Sequence, residues 1–341
     1  MSFRFLKTRQ VENTRWIEFH NPPANIVTTD VMAELLRAFR EADADPAVRV
    51  VVFTGGLPGR YVFHFSIPEI LHAPRDNRKL LLNWIFKWQF TAAIGRWQMA
   101  LSLRMMRNFR FYESMMLGLA RMLRKQAPTF YLFFQTMATT YAIENCRKIT
   151  IAAINGTCNG SGTEVAACYD FRFMIGDSGY SICHTEALIG IIPGGGGPQR
   201  VTRLVGRAKA IELILGCAIW TPEEAKQAGL ITDHFPKAVF VEKVQAFANL
   251  MSRRSLIAFT AGRKAITRGM GVELSRGLAF DTEANVLCCD DPSSQAALRE
   301  YAGYLQKNVE EKPDAPATME EALEVLESDR ITRFYSKSRG G

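Results

Sequence analysis

Residues 155–164 read Asn-Gly-Thr-Cys-Asn-Gly-Ser-Gly-Thr-Glu. Glycines and small polar residues run straight into a carboxylate, which lets a ligand atom approach the main chain closely. A β-branched run ends at Ile154 and a short helix is expected from about 162 to 168. The stretch therefore falls at a helix N-terminus, where N–H groups lack intrahelical acceptors. Glu164 sits one turn inside. A main-chain N–H beside a carboxylate suits enolate chemistry, the first holding an oxyanion and the second moving a proton. Phosphate binding fits less well. The dinucleotide pattern needs a third glycine where Val165 stands, and the loop has no lysine. On these residues alone the alternative stays open: a structural turn whose Glu164 is favoured by the helix dipole.

The surrounding pattern is that of an α/β protein. Residues 15–19 (RWIEF) alternate like a strand. Residues 28–45 read as a helix with Met32, Leu35, Leu36 and Phe39 on one face and Asp30 as its cap. VRVVVFTGG (48–56) and KITIAAING (148–156) are buried strands closed by glycine, and DFRFMIG (170–176) is another. A long helical stretch is expected over roughly 69–145. Strand, turn and helix keep alternating until about 203, after which helices dominate. In TPEEAKQAGL, Thr221 caps, Pro222 opens the helix and Gly229 ends it. The tail after Glu311 is rich in proline and charge, with one short helix near 319–327 and a frayed end beyond it.

The 341 residues carry a net charge of +8. Eleven Lys/Arg between His72 and Ala127 are opposed only by Asp76 and Glu113, so the basic character belongs to that segment. This argues against a general nucleic-acid surface. Seven cysteines without CxxC spacing read as reduced thiols in a cytoplasmic protein, with no metal site. The N-terminal residues have no apolar signal-peptide core, and no apolar run reaches membrane-spanning length.

Four stretches together resemble the crotonase superfamily, the enoyl-CoA hydratases and isomerases. They are TGGLPGRYVFHFSIPEI (54–70), ITIAAINGTCNGSGTEVAACYDFRF (149–173), TEALIGIIPGGGGPQR (185–200) and TPEEAKQAGLI (221–231). The resemblance implies a spiral of ββα repeats with C-terminal helices that build a homotrimer or hexamer. It implies an acyl-CoA substrate, with coenzyme A part of that substrate and no separate cofactor. It places two oxyanion-hole N–H groups at Phe65 and Ser161, and catalytic carboxylates at Glu164 and Glu186, four residues before Gly190. Arg60, Phe63, His64, Gly160 and Gly162 are the accompanying substrate-binding residues. His64 and Ser161 stand where the family usually has glycine, and Ser66 where it has Asp. His184 reads as a solvated loop residue that could instead tune Glu186. Two carboxylates tilt the expectation toward a carbon–oxygen lyase of fatty-acid metabolism that hydrates 2-enoyl-CoA. Isomerisation, C–C hydrolysis and non-catalytic acyl-CoA binding remain as alternatives.

Phe65 and Ser161 lie 96 positions apart, whereas the family has a few dozen residues there. The excess is the basic segment. On one continuous helix, Leu101, Met105, Phe109, Tyr112, Met116, Leu119 and Leu123 form an apolar stripe, with arginines opposite. Three readings stand: a hairpin packed on the body, a lid over an apolar acyl chain, or peripheral membrane contact through 78–125. The expected organisation is a spiral core at 1–70 and 141–240, a helical insertion at 71–140, C-terminal helices at 241–312 and an extension at 313–341.

Overall fold

The valine- and isoleucine-rich runs become the centre of the molecule. The computed structural model describes residues 2–71, 89–312 and 314–336. Strands β1 (Leu6–Val11), β2 (Thr14–Phe19), β3 (Val50–Gly55), β5 (Ile149–Ile154), β7 (Phe171–Ile175) and β10 (Asp233–Phe235) form one sheet in the order β1-β2-β3-β5-β7-β10. Only the β1–β2 pair is antiparallel. Every residue of β3 and β5 is buried, as uninterrupted apolar sequence in a doubly covered parallel sheet requires. A second sheet contains β4 (Gly59–Val62), β6 (Gly156–Asn159), β8 (Ile182–Cys183) and β9 (Ile219–Trp220) in that order. Each coil of the chain supplies one strand to each sheet, β3 with β4, β5 with β6, β7 with β8. This is the ββα spiral. The short second-sheet strands were not foreseen because two to four residues are too few to show a period.

Helix α1 (Thr29–Ala44) buries Val31, Met32, Leu35, Leu36 and Phe39 against the spiral. Its cap is Thr28, whose hydroxyl accepts from the Val31 N–H, and not Asp30, which lies in the first turn. Within the expected long helical stretch, residues 67–71 are helical and three longer helices follow among the described residues: α2 (Gln89–Asn108), α3 (Arg110–Met122) and α4 (Pro128–Glu144). The single-stripe expectation fails at Phe109, whose extended backbone (φ −129°) separates α2 from α3. The fold back lets Met106, Leu117 and Ala120 join Tyr131, Phe134 and Ala138 of α4 and Leu36 of α1 in one apolar cluster. Residues 72–88, including part of the basic segment, lie outside the described residues.

Helix α5 (Ser161–Ala166) follows β6 directly, and α6 (Gly197–Ile214) follows the glycine run. Helix α7 (Pro222–Gln227) opens with a capping box between Thr221 and Glu224. Helix α8 (Phe240–Ser252) covers the first sheet through Phe240, Val244 and Ala248. Helices α9 (Leu256–Gly269), α10 (Leu274–Cys289) and α11 (Pro292–Leu305) complete the C-terminal region, and α10 buries none of its residues. Beyond them lie α12 (Met319–Glu327) and α13 (Asp329–Ser336). The last replaces the expected frayed end: Arg330 pairs with Glu300 of α11 at 2.5 Å, and Arg253 reaches Asp329 at 2.8 Å.

Candidate active site

The site is assembled from three turns that the spiral stacks at one end of its strands. The first is residues 63–66, after β4. Val27 forms an isolated parallel bridge with Phe65: its N–H donates to the His64 carbonyl at 2.9 Å and its carbonyl accepts from Ser66 at 2.7 Å. That pattern uses the groups on either side of Phe65 and turns its own N–H to the opposite edge. The second turn is the β6–α5 junction. Ser161 is the first residue of α5, so its N–H has no helical acceptor. The left-handed backbone falls on Gly160 (φ 54°), and neither His64 nor Ser161 has positive φ. A Cβ on Gly160 would lie 2.8 Å from Glu186 Oε1. Glycine is therefore required at 160, while side chains at 64 and 161 carry no backbone strain.

The third turn begins at Glu186, which opens a short 3-10 helix ending at Gly190. Phe65, Ser161, Glu164 and Glu186 all line one cavity of about 300 Å³. Met32, Ile70, Val165, Ile191, Ile192 and one face of α4 form its apolar walls. Among the remaining expected site residues, Arg60, Phe63, His64, Gly160 and Gly162 do not line it. Arg60 lies over the ring of the partly exposed Phe63, 5.8 Å from its centroid. His64 Nδ1 pairs with the Phe65 carbonyl at 2.6 Å. Gly162 packs under Val62. A second cavity, of about 660 Å³ between α6 and α9, contains neither carboxylate.

The two glutamates are held differently. Glu164 is 5% exposed, and burial raises its pKa; the N–H of Gly197, donating to Oε1 at 2.7 Å, and the charge of His184 oppose that rise. The nearby Glu186 charge adds to it. Gly195 packs so closely that a Cβ there would meet Glu164 Oε2 at 2.9 Å. The glycine run thus closes over this carboxylate, and Arg200 fixes the run by donating to the Gly195 carbonyl and pairing with Glu144 at 2.6 Å. Burial also pushes Glu186 upward, but hydrogen bonds and charge from its own turn outweigh it and leave its pKa below the ordinary value. The Thr185 N–H donates to Oε2 at 2.9 Å and His184 Nδ1–H to the same oxygen at 3.2 Å. His184 is fully buried, contrary to the solvated loop residue expected from sequence. Two residues from a glutamate in a turn, it gave no periodic signal by which burial could be read.

The α4 face was also missed as a wall of the site. Thr129, Phe133, Thr136 and Thr140 follow helical spacing and all line the cavity. That signal was present in the sequence.

A sequence model of the enoyl-CoA hydratase/isomerase family matches residues 118–312. Over 144 residues the chain is 33% identical to a short-chain-enoyl-CoA hydratase of Clostridioides difficile, covering 42% of this chain and 91% of that protein. It is 36% identical over 160 residues to 2,3-dehydroadipyl-CoA hydratase of Escherichia coli K12, covering 47% of this chain but only 61% of that relative's length. Among solved structures, an enoyl-CoA hydratase from Bacillus anthracis superposes with a TM-score of 0.64 at 22% identity, over 88% of this chain and 97% of its own. DspI of Pseudomonas aeruginosa superposes with a TM-score of 0.66 at 19% identity, over 89% and 96%. These structures bear on the fold, which is that of the crotonases. The chain belongs to the enoyl-CoA hydratase/isomerase family.

Proposed function

We propose that the protein hydrates 2-enoyl-CoA thioesters. The observation that carries this reading is a single apolar cavity lined by Phe65, Ser161 and two carboxylates of opposite bias. The thioester oxygen is held by the N–H groups of Phe65 and Ser161, each worth roughly 3 kcal/mol of barrier. One carboxylate takes a proton from water as the water oxygen bonds to Cβ, and a carboxyl delivers a proton to Cα. Glu186 is biased toward the ionised base and Glu164 toward the neutral acid, the divergence that an acid–base pair uses. Coenzyme A enters with the substrate and no cofactor takes part. Arg60 and Phe63, outside the cavity, are placed to meet the CoA portion.

Isomerisation and C–C hydrolysis would use the same oxyanion site, but two carboxylates on one cavity favour addition of water. A binding protein without catalysis would have no use for their divergent environments. Loss of the enoyl-thioester absorbance with crotonyl-CoA and longer 2-enoyl-CoAs tests the reading. No change with any of them would sink it.

The proposed assembly is a homotrimer or hexamer through the C-terminal helices, where Ile266, Leu274 and Leu278 are exposed. No described helix is long and apolar enough to cross a membrane. The free cysteines fit a reducing, cytoplasmic setting. Within the basic segment 78–125, described from residue 89, a peripheral membrane contact is the second reading. Phe111 and Met122 of α3 are 84% and 79% exposed, beside Arg110 and Arg121. The one acid of the described part, Glu113, is buried and paired with Arg40. Exposed apolar side chains of α3 beside Arg110 and Arg121 match an anionic lipid surface, while Arg124 is paired with Asp30 at 3.0 Å. Flotation with anionic liposomes, absent with neutral ones, is the expected result; failure to float with either removes this contact.

A further inference from the structure

The cavity holds two buried hydroxyls that the protein does not satisfy. Thr136 Oγ1 and Ser161 Oγ have no hydrogen-bond partner, and their residues are 6% and 5% exposed. Both line the cavity. Buried polar atoms are nearly always paired, so each orphan asks for an atom supplied from outside. Ser161 lies at the oxyanion turn, where the thioester itself arrives. Thr136 lies elsewhere. Its neighbours on α4 show that the helix can satisfy a threonine: Thr139 Oγ1 donates to the Met32 carbonyl at 2.9 Å, and Thr140 Oγ1 to the Met137 carbonyl at 3.1 Å. Thr136 alone of these three keeps its hydroxyl for the cavity.

Position along the helix says where on a substrate that hydroxyl would act. Glu144, at the C-terminal end of α4, is tied through Arg200 to Gly195 beside Glu164. Thr136 is two turns earlier, about 12 Å back along the axis at the helical rise per residue. That distance puts it toward the part of the chain beyond the reacting carbons, in a cavity that Leu132, Phe133 and Met32 also line. The charge of the wall narrows the class. No Lys, Arg or His lines the cavity among the described residues, and its two ionisable residues are both glutamates. A chain ending in a carboxylate would meet like charge and no cation; a neutral oxygen would meet an unused donor.

Resting on the acyl-CoA reading above, we propose that this site selects acyl-CoAs whose chain carries a neutral oxygen, a hydroxyl or keto group beyond Cβ, recognised by the Thr136 hydroxyl. A site with an unpaired buried hydroxyl discriminates against the plain chain because that chain leaves the hydroxyl unpaired.

The test is calorimetric binding of saturated acyl-CoAs of equal length, unsubstituted or bearing a hydroxyl, keto or terminal carboxylate, with the oxygen moved carbon by carbon. For one position of the neutral oxygen the wild type is expected to bind at least about tenfold more tightly than the plain chain, the scale of one good hydrogen bond. Thr136→Val, close in shape, should collapse that ratio, and Thr136→Ser should keep it. A ratio near unity across the neutral series, a carboxylate preferred over both, or a ratio that survives in Thr136→Val would each overturn the proposal. Because saturated thioesters are not turned over, the result does not depend on hydration, and an enzyme inert toward crotonyl-CoA would fail the activity reading separately.

Discussion

The two turns that carry Glu164 and Glu186 perform opposite electrostatic work with the same side chain. Glu164 stands in the first turn of a buried helix, roofed by Gly195 and Gly197, with one strong donor at 2.7 Å. Glu186 stands at the start of a 3-10 turn and draws two donors, Thr185 N–H and His184 Nδ1–H, onto one oxygen. Desolvation is the largest influence on both. The outcome is decided by how many donors the local backbone can aim at the carboxylate, and so by turn geometry more than by depth. Each turn carries a glutamate, and the donors around it bias that carboxyl toward or away from its charged form.

Removing the charges should have the largest effect. Glu164→Gln and Glu186→Gln are each expected to lower kcat by at least about 100-fold, the usual scale of acid–base catalysis. Steady-state rates with crotonyl-CoA check this, and a wild-type rate in either variant would strip that residue of its role. Next comes the spacer between the turns. Gly160→Ala places a Cβ against Glu186 Oε1 on a backbone with positive φ. A loss of about 10–100-fold in kcat/KM is expected from displacing a reacting group by a fraction of an ångström to an ångström.

A smaller effect sharpens the comparison through pH. Glu186 faces His184 and Thr185 from its own turn and Glu164 across the site. Its lowered pKa keeps it ionised well into acid, so the acidic limb of kcat/KM lies low. His184→Ala removes one donor, raises the Glu186 pKa and moves that limb to higher pH by about one unit, equivalent to one hydrogen bond. His184→Asn, which keeps an N–H near the Nδ1 position, should restore most of the shift. A merely structural role would lower the rate without moving the limb. The smallest effect is on stability. Glu164 has a raised folded pKa, so its contribution to stability is full at low pH and is lost as pH rises through that pKa. Glu164→Gln keeps an acceptor for Gly197 without the charge. Its Tm should exceed that of the wild type, by a margin that widens from acid toward alkaline pH in calorimetric scans.

Legibility followed the length of the pattern. The buried strands β3 and β5 and helix α1 declare themselves through runs of β-branched residues and recurring apolar positions. The four separated stretches pointed to the spiral and to the family because each carries glycines at fixed offsets from polar residues. What escaped was short or tertiary. Strands β8 and β9 have two residues each. The break at Phe109 follows from the demand that Met106 and Leu117 reach one cluster, a requirement that acts between helices and leaves no local mark. His184 is buried directly after β8, an interior strand of the second sheet, which sequence spacing does not reveal. The α4 threonines were readable as a face, but nothing in the sequence said what that face would meet.

Arg200 joins two parts of the molecule that sequence separates by more than a helix. Its guanidinium grips Glu144, at the end of the helix whose other residues line the cavity, and the Gly195 carbonyl on the roof above Glu164. The helix that lines the cavity and the turn that covers the acid are thereby tied through one side chain. A substitution at Arg200 would therefore release the turn over the acid and the end of the cavity helix together, although the two are far apart in sequence.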